Sequence, residues 1–156
     1  MKNLLLIISF LLIGCGPVKH THPDFIKYIN VFETELNLKV KTTIVYKPIV
    51  LSEEQLKKSR SVGTCYRYAN SDKNFIDIEK QYWDTASEAV KEQLIFHELG
   101  HCELNLDHTE EKISTPFGSI PKSIMFPYVF GNQMYYQVYK NYYVEELKDK
   151  NYPFNI

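Results

Sequence analysis

Apolar residues recur at every third or fourth position in three stretches of the chain, which is the spacing of an amphipathic helix. The first predicted helix, Pro23–Leu36, begins with a proline at a position where proline is tolerated. The second is predicted at Ser87–Leu104, with Thr85 and Glu88 at the spacing of a capping box, Ser87 as a second possible N-cap, and Asn105 ending the helix. The third, rich in tyrosine, is predicted at Asn132–Lys148, with the tyrosines packing against the core.

Short segments between these helices are rich in β-branched and aromatic residues and predict strands. These strands are predicted at Val40–Tyr46, Val62–Tyr68 and Phe75–Ile78. A short polar helix is predicted at Ser52–Lys58, and the proline- and glycine-containing segment 108–121 predicts a loop. This order of elements predicts an α+β fold in which a small, mixed sheet lies against the second helix.

The N-terminus has a different pattern, an apolar run at Leu4–Ile13 that only Ser9 interrupts. The run has the length of a signal-peptide core and is too short to span a bilayer. Cys15 follows a small residue at its end, as in a bacterial lipobox, where the cysteine is acylated; an ordinary signal peptide is the alternative. We predict a lipoprotein signal peptide at 1–14, a tether at 15–22 and one folded domain at 23–156. The expected location is the bacterial cell envelope on the extracytoplasmic side, and Gly16 after the cysteine favours the outer membrane of a two-membrane cell.

Composition narrows the possible partners. The 156 residues carry a formal net charge of -1, so no basic excess indicates nucleic-acid binding. If Cys15 is acylated, Cys65 and Cys102 remain as an even pair in a compartment that permits disulfides. We expect a bridge between them, with two buried thiols as the alternative.

The candidate chemistry is concentrated in the second helix, in the segment His97-Glu98-Leu99-Gly100-His101. Residues four apart lie on one helix face, so His97 and His101 can bind one ion, and zinc accepts imidazole nitrogen. Glu98 is placed beside a water on that ion, where a carboxylate can act as general base. The alternative is a helix with two solvated histidines.

The segment from His97 to His108, read with Ser123-Ile124-Met125, resembles the metzincin clan of zinc metallopeptidases. It is also similar to small bacterial lipoproteins described as metallopeptidases, in which a cysteine follows the helix motif. The resemblance covers about a fifth of the chain. It implies a metallopeptidase-like domain at 23–156, an active-site helix, a Met-turn at Met125 and a C-terminal helix.

The third zinc ligand departs from the usual metzincin spacing, which would place a glycine at Leu104 and the ligand at Asp107. Leucine does not favour the left-handed turn that follows such a helix. If the helix turns at Asn105 instead, the same offset reaches His108, as in the longer spacing of archaemetzincins. We therefore predict His108 as the third ligand, with Asp107 as the alternative.

Other candidate ligands are less favourable. Cys102 is about 100° around the helix from His101 and is expected to point away. A gluzincin would use a glutamate on a later helix, such as Glu145 or Glu146, but we expect these two to be a solvated pair.

These observations predict zinc-dependent hydrolysis of peptide or protein substrates, with metal-activated water and Glu98 as base. The expected membrane attachment is through the lipid on Cys15. Two other hypotheses are a non-catalytic zinc-binding envelope lipoprotein and a metal-free envelope protein with an accidental motif.

Overall fold

A computed structural model describes residues 20–48, 61–68, 73–116, 118–130, 133–149 and 152–154, together with Ser52 and Glu54. The elements within these ranges are, in chain order, α1 (Pro23–Leu36), β1 (Thr43–Tyr46), β2 (Gly63–Tyr66), β3 (Phe75–Ile78), α2 (Lys80–Thr85), α3 (Glu88–Leu104), β4 (Lys112–Thr115), β5 (Gly118–Pro121) and α4 (Gln133–Lys148). The protein is therefore a small α+β fold, as the sequence predicts.

Local capping explains the bounds of the longest helix, α3. The Ser87 side chain accepts a hydrogen bond from the Val90 N–H, which satisfies a donor in the first turn. At the other end Asn105 adopts a left-handed conformation with φ 54° and ψ 40°. Asparagine tolerates this conformation better than most residues do, so the helix stops there. The predicted helix 87–104 and its terminator are confirmed.

The three-stranded sheet has the order β1-β3-β2, with β3 parallel to β1 and antiparallel to β2. The mixed sheet of the prediction is confirmed, although β1 and β2 are shorter than expected. The core forms where this sheet meets the helices, around fully buried side chains that include Ile44, Ile76, Phe25, Phe96 and Leu99. β2 is an edge strand beside α3, which places its backbone close to the histidine motif.

The loop prediction for 108–121 is wrong, because this segment contains a hairpin of β4 and β5. Its strands are four residues long, half of their residues are exposed, and Ile113 and Ile120 pair as apolar residues across the ladder. Gly118 has φ 116° in the second strand, and this conformation favours glycine. Such short polar strands carry no clear two-residue alternation, and α2 is similarly too short for a helical pattern.

The predicted signal peptide at 1–14, the acylated Cys15 and most of the predicted helix 52–58 lie outside the described residues. Within the part of the chain that is described, no helix combines the length and the apolar character needed to cross a bilayer.

Candidate metal centre

Three imidazole rings converge in front of α3. The Nε2 atom of His97 lies 3.1 Å from that of His101 and 3.2 Å from that of His108, and the latter two are 3.0 Å apart. Two of these rings come from one face of α3, because they are four residues apart. Among the described residues these three histidines form a group that could hold a metal ion.

Backbone carbonyls fix the orientation of the two helical rings. The Nδ1–H of His97 donates to the Ile124 carbonyl at 2.9 Å, and that of His101 donates to the Leu106 carbonyl at 2.6 Å. With the proton on Nδ1, each Nε2 presents a lone pair toward the centre of the group. Burial lowers the pKa of His97 to about 4 and also lowers that of His101, so both rings are neutral at pH 7.

This donor set fits a bound cation. Two neutral Nε2 lone pairs facing each other cannot form a hydrogen bond, and a cation between them removes their repulsion. Tetrahedral coordination with bonds of about 2.0–2.1 Å separates ligand nitrogens by about 3.3 Å, close to the observed spacing. Hydrogen bonding of the second ring nitrogen to a carbonyl is also the usual arrangement for a metal-binding histidine.

The end of α3 brings His108 to the group. After the left-handed Asn105, the Leu106 N–H donates to the Gly100 carbonyl at 3.1 Å. The same turn directs the Leu106 carbonyl back to His101. Asp107 lines the same cavity but is not one of the three clustered residues. The helix therefore continues to Leu104 and turns one residue later than in the usual metzincin spacing.

A tight turn at Ser123–Phe126 lies beneath the histidines, closed by a hydrogen bond from the Phe126 N–H to the Ser123 carbonyl at 3.2 Å. Its Ile124 carbonyl holds His97, and its Met125 carbonyl accepts from the Thr109 N–H, next to His108. The turn thus contacts two parts of the chain that carry the clustered histidines, α3 and the segment after it.

Met125 is 2% exposed and packs against the helix at Gly100. A Cβ at Gly100 would lie 2.5 Å from the Met125 sulfur, so the close approach depends on glycine within the histidine motif. The turn is also held from α4, because the Ser123 hydroxyl donates to Glu146 at 2.8 Å and accepts from the Met125 N–H. The expectation that Glu146 is solvated is wrong, since it is buried.

Glu98 is the buried acidic residue of the site. It is 5% exposed and lines the same cavity as the histidines. Burial raises the pKa of Glu98 to about 8, and the ammonium of Lys47 and a hydrogen bond from the Cys65 backbone counteract this effect. The carboxylate therefore lies between α3 and β2 with few groups that stabilise its charge.

Gly63 of β2 makes room for this carboxylate. A Cβ at Gly63 would lie 2.6 Å from Glu98 Oε1 and 2.9 Å from its Cγ. A side chain at this position would displace the Glu98 carboxyl group, so the observed placement of Glu98 against the strand requires glycine here. An isolated glycine inside a predicted strand was a signal for such a close approach, but it could not identify the partner.

A disulfide joins Cys65 of β2 to Cys102 of α3, two residues beyond Gly63 and one beyond His101. The alternative of two buried thiols does not apply. The bridge links the strand that faces Glu98 to the helix that carries the two histidines.

The histidines and Glu98 open into a cavity of about 560 Å³. One side is formed by residues 61–65 of β2 and the segment before it. Another is formed by α2, the first turns of α3 and residues 127–129. A histidine cluster beside a buried acidic side chain in an open cavity is typical of the metal sites of metal-dependent hydrolases.

Residues 12–122 match the model of a protein family described as "Putative phage metallopeptidase". The match spans well over half of the 156 residues, so the chain belongs to this family. No curated protein and no solved structure matches the chain.

Proposed function

We propose that the protein is a metzincin-like zinc peptidase that hydrolyses peptide bonds with Glu98 as general base. The observation that carries the proposal is the convergence of three imidazole Nε2 atoms, 3.0–3.2 Å apart, beside a buried glutamate in an open cavity. Membership of a metallopeptidase family supports the same activity.

His97, His101 and His108 would hold the ion, since three neutral imidazoles are a common ligand set for catalytic zinc. When bound, zinc polarises a carbonyl and lowers the pKa of water toward about 7. The carbonyls of Ile124 and Leu106 keep the lone pairs of the two helical histidines directed at the ion. Met125 supplies the apolar floor, in the manner of a Met-turn.

With a dication bound beside it, which would favour its charged form, Glu98 would accept a proton from the attacking water and return it to the leaving amine. Glu98 directly follows His97, which would be a ligand. The carboxyl group would therefore lie beside the ion, although Glu98 is not a member of the histidine cluster. Contact with β2 fixes the side chain from the other side.

The substrate would bind as an extended peptide along β2. This strand pairs with β3 on one side, and its other side borders the cavity. Backbone groups at a sheet edge can pair with an added strand, which gives affinity for peptides with little dependence on their side chains.

Metal content tests the ligand set, and we expect about one zinc per purified chain by elemental analysis. His108→Ala should lose most of this zinc after dialysis, because only two ligands remain. Asp107→Ala, the matched control at the neighbouring position, should keep it. Loss of zinc with Asp107→Ala alone would overturn the third ligand, and a chain that never binds zinc would overturn the peptidase proposal.

We also propose that the chain is exported and anchored through a lipid on Cys15. The Cys65–Cys102 disulfide supports export, since such bridges persist in oxidising compartments. Expression in a bacterium with radiolabelled fatty acid should label the wild-type chain and leave Cys15→Ser unlabelled. An unlabelled wild-type chain that is recovered in the cytoplasm would contradict the anchor.

A further inference from the structure

One wall of the cavity is formed by Tyr82, Gln93, Leu94 and residues 127–129. It carries polar groups that the proposed mechanism does not use. Gln93 lies four residues before His97 and therefore on the same face of α3. It is only 2% exposed, lines the cavity, and its Oε1 has no hydrogen-bond partner among the described residues. A buried amide oxygen without a partner costs about 1–3 kcal/mol, so a group that supplies the missing donor would be favoured.

Tyr82 of α2 lines the cavity as well, and its hydroxyl forms no hydrogen bond with another described residue. Three tyrosines that are less exposed than Tyr82 behave differently. Tyr28, Tyr136 and Tyr143 all donate to a carboxylate or a backbone carbonyl. Gln93 and Tyr82 therefore both offer a polar group without a partner among the described residues to the same cavity.

The rest of the wall is uncharged. Its other lining residues are Leu94, Pro127, Tyr128 and Val129. The charged Arg67 also lines the cavity, but its guanidinium group donates to Asn105. Asn105 follows Gln93 by twelve residues, which separates the two by about 18 Å along the helix axis. A charged substrate side chain would find no counter-ion among the residues of this wall, because the acidic lining residues, Glu98 and Asp107, are the chain neighbours of His97 and His108 at the metal centre.

We propose that Gln93 and Tyr82 form a side-chain subsite beside the metal centre, which selects a substrate residue with a neutral carboxamide, Asn or Gln. A carboxamide offers a donor to Gln93 Oε1 and an acceptor to the amide or hydroxyl donors of the wall. Leucine has nearly the shape of asparagine but leaves the Gln93 amide unpaired. The inference rests on the proposed peptidase function, whose substrate it specifies.

Two peptide hydroxamates test the subsite, because the hydroxamate group chelates zinc without needing catalysis. They differ only in the side chain next to the chelating group, asparagine in one and leucine in the other. We expect the zinc-loaded wild-type chain to bind the asparagine ligand about 10- to 100-fold more tightly by calorimetry.

Gln93→Met should abolish this preference at nearly constant side-chain volume. Gln81→Met is the matched control, since Gln81 also has a buried Oε1 without a partner but does not line the cavity. It should leave the preference unchanged. Zinc content and thermal unfolding establish that both variants are folded, and the wild-type preference itself requires no variant.

The subsite is refuted if the leucine ligand binds wild type equally well, or if the asparagine preference survives in Gln93→Met. Absence of binding by either hydroxamate would refute the subsite together with the metal centre. Asparagine selectivity in a zinc-loaded chain that cleaves no peptide would refute the peptidase function and leave the subsite intact.

Discussion

Glu98→Gln is expected to lower kcat for peptide hydrolysis by about 10²- to 10⁴-fold while zinc remains bound. Glutamine has the shape of glutamate but cannot accept a proton at neutral pH, whereas the three histidines are untouched. Hydrolysis of a fluorogenic peptide library, read beside elemental analysis, measures both quantities. Zinc-loaded Glu98→Gln with wild-type activity would remove Glu98 from the mechanism.

A matched control for this substitution is Glu79→Gln. Glu79 is 1% exposed, so the control also neutralises a buried carboxyl group, but the residue does not line the cavity. Its kcat should stay within a few-fold of wild type. Gly63→Ala places a methyl group on β2 next to the Glu98 carboxyl group. Because this methyl group displaces Glu98, the variant should have a lower kcat and still bind zinc.

Removal of the disulfide is expected to lower the free energy of unfolding by about 3–4 kcal/mol. Cys65 and Cys102 are 37 residues apart, and closing a loop of this length restricts the unfolded chain substantially. Small domains are stable by only about 5–15 kcal/mol, so this is a large fraction of the total. Urea unfolding of Cys65→Ala/Cys102→Ala beside wild type measures the difference.

The same variant should bind zinc more weakly, because β2 is no longer tied to the helix that carries His97 and His101. Alanine is used rather than reduced cysteine, since free thiolates could bind zinc themselves. Reductant should destabilise wild type and have no effect on the variant. Equal urea midpoints for the variant and oxidised wild type would contradict the predicted role of the bridge.

Local signals in the sequence were sufficient to predict α3. Its periodic apolar positions, the cap at Ser87 and the terminator Asn105 act within one or two turns, so they can be read without knowing the fold. The same reasoning moved the expected third ligand from Asp107 to His108, and the structure brings His108 to the other two histidines. Whether it binds zinc stays a prediction.

Contacts between distant segments were not predictable in this way. Gly63 and Glu98 are far apart in sequence, and only the pairing of β2 with β3 and its packing on α3 brings them together. Glu146 looked like a surface residue because it is charged, although it lies three residues after the buried Tyr143 on the same face of α4. Its burial depends on Ser123, which sequence spacing does not reveal.

Helix α4 is hydrogen-bonded to the end of the segment that the family model covers. The family match ends at residue 122, before Met125 and the whole of α4. Yet Tyr142 and Tyr143 donate to the carbonyls of Lys122 and Pro121, at the boundary itself. A transplant of residues 12–122 into another scaffold would carry the histidines without the Ile124 carbonyl that orients His97 and without Met125 beneath them. The matched segment is therefore a shared sequence but not a transferable module.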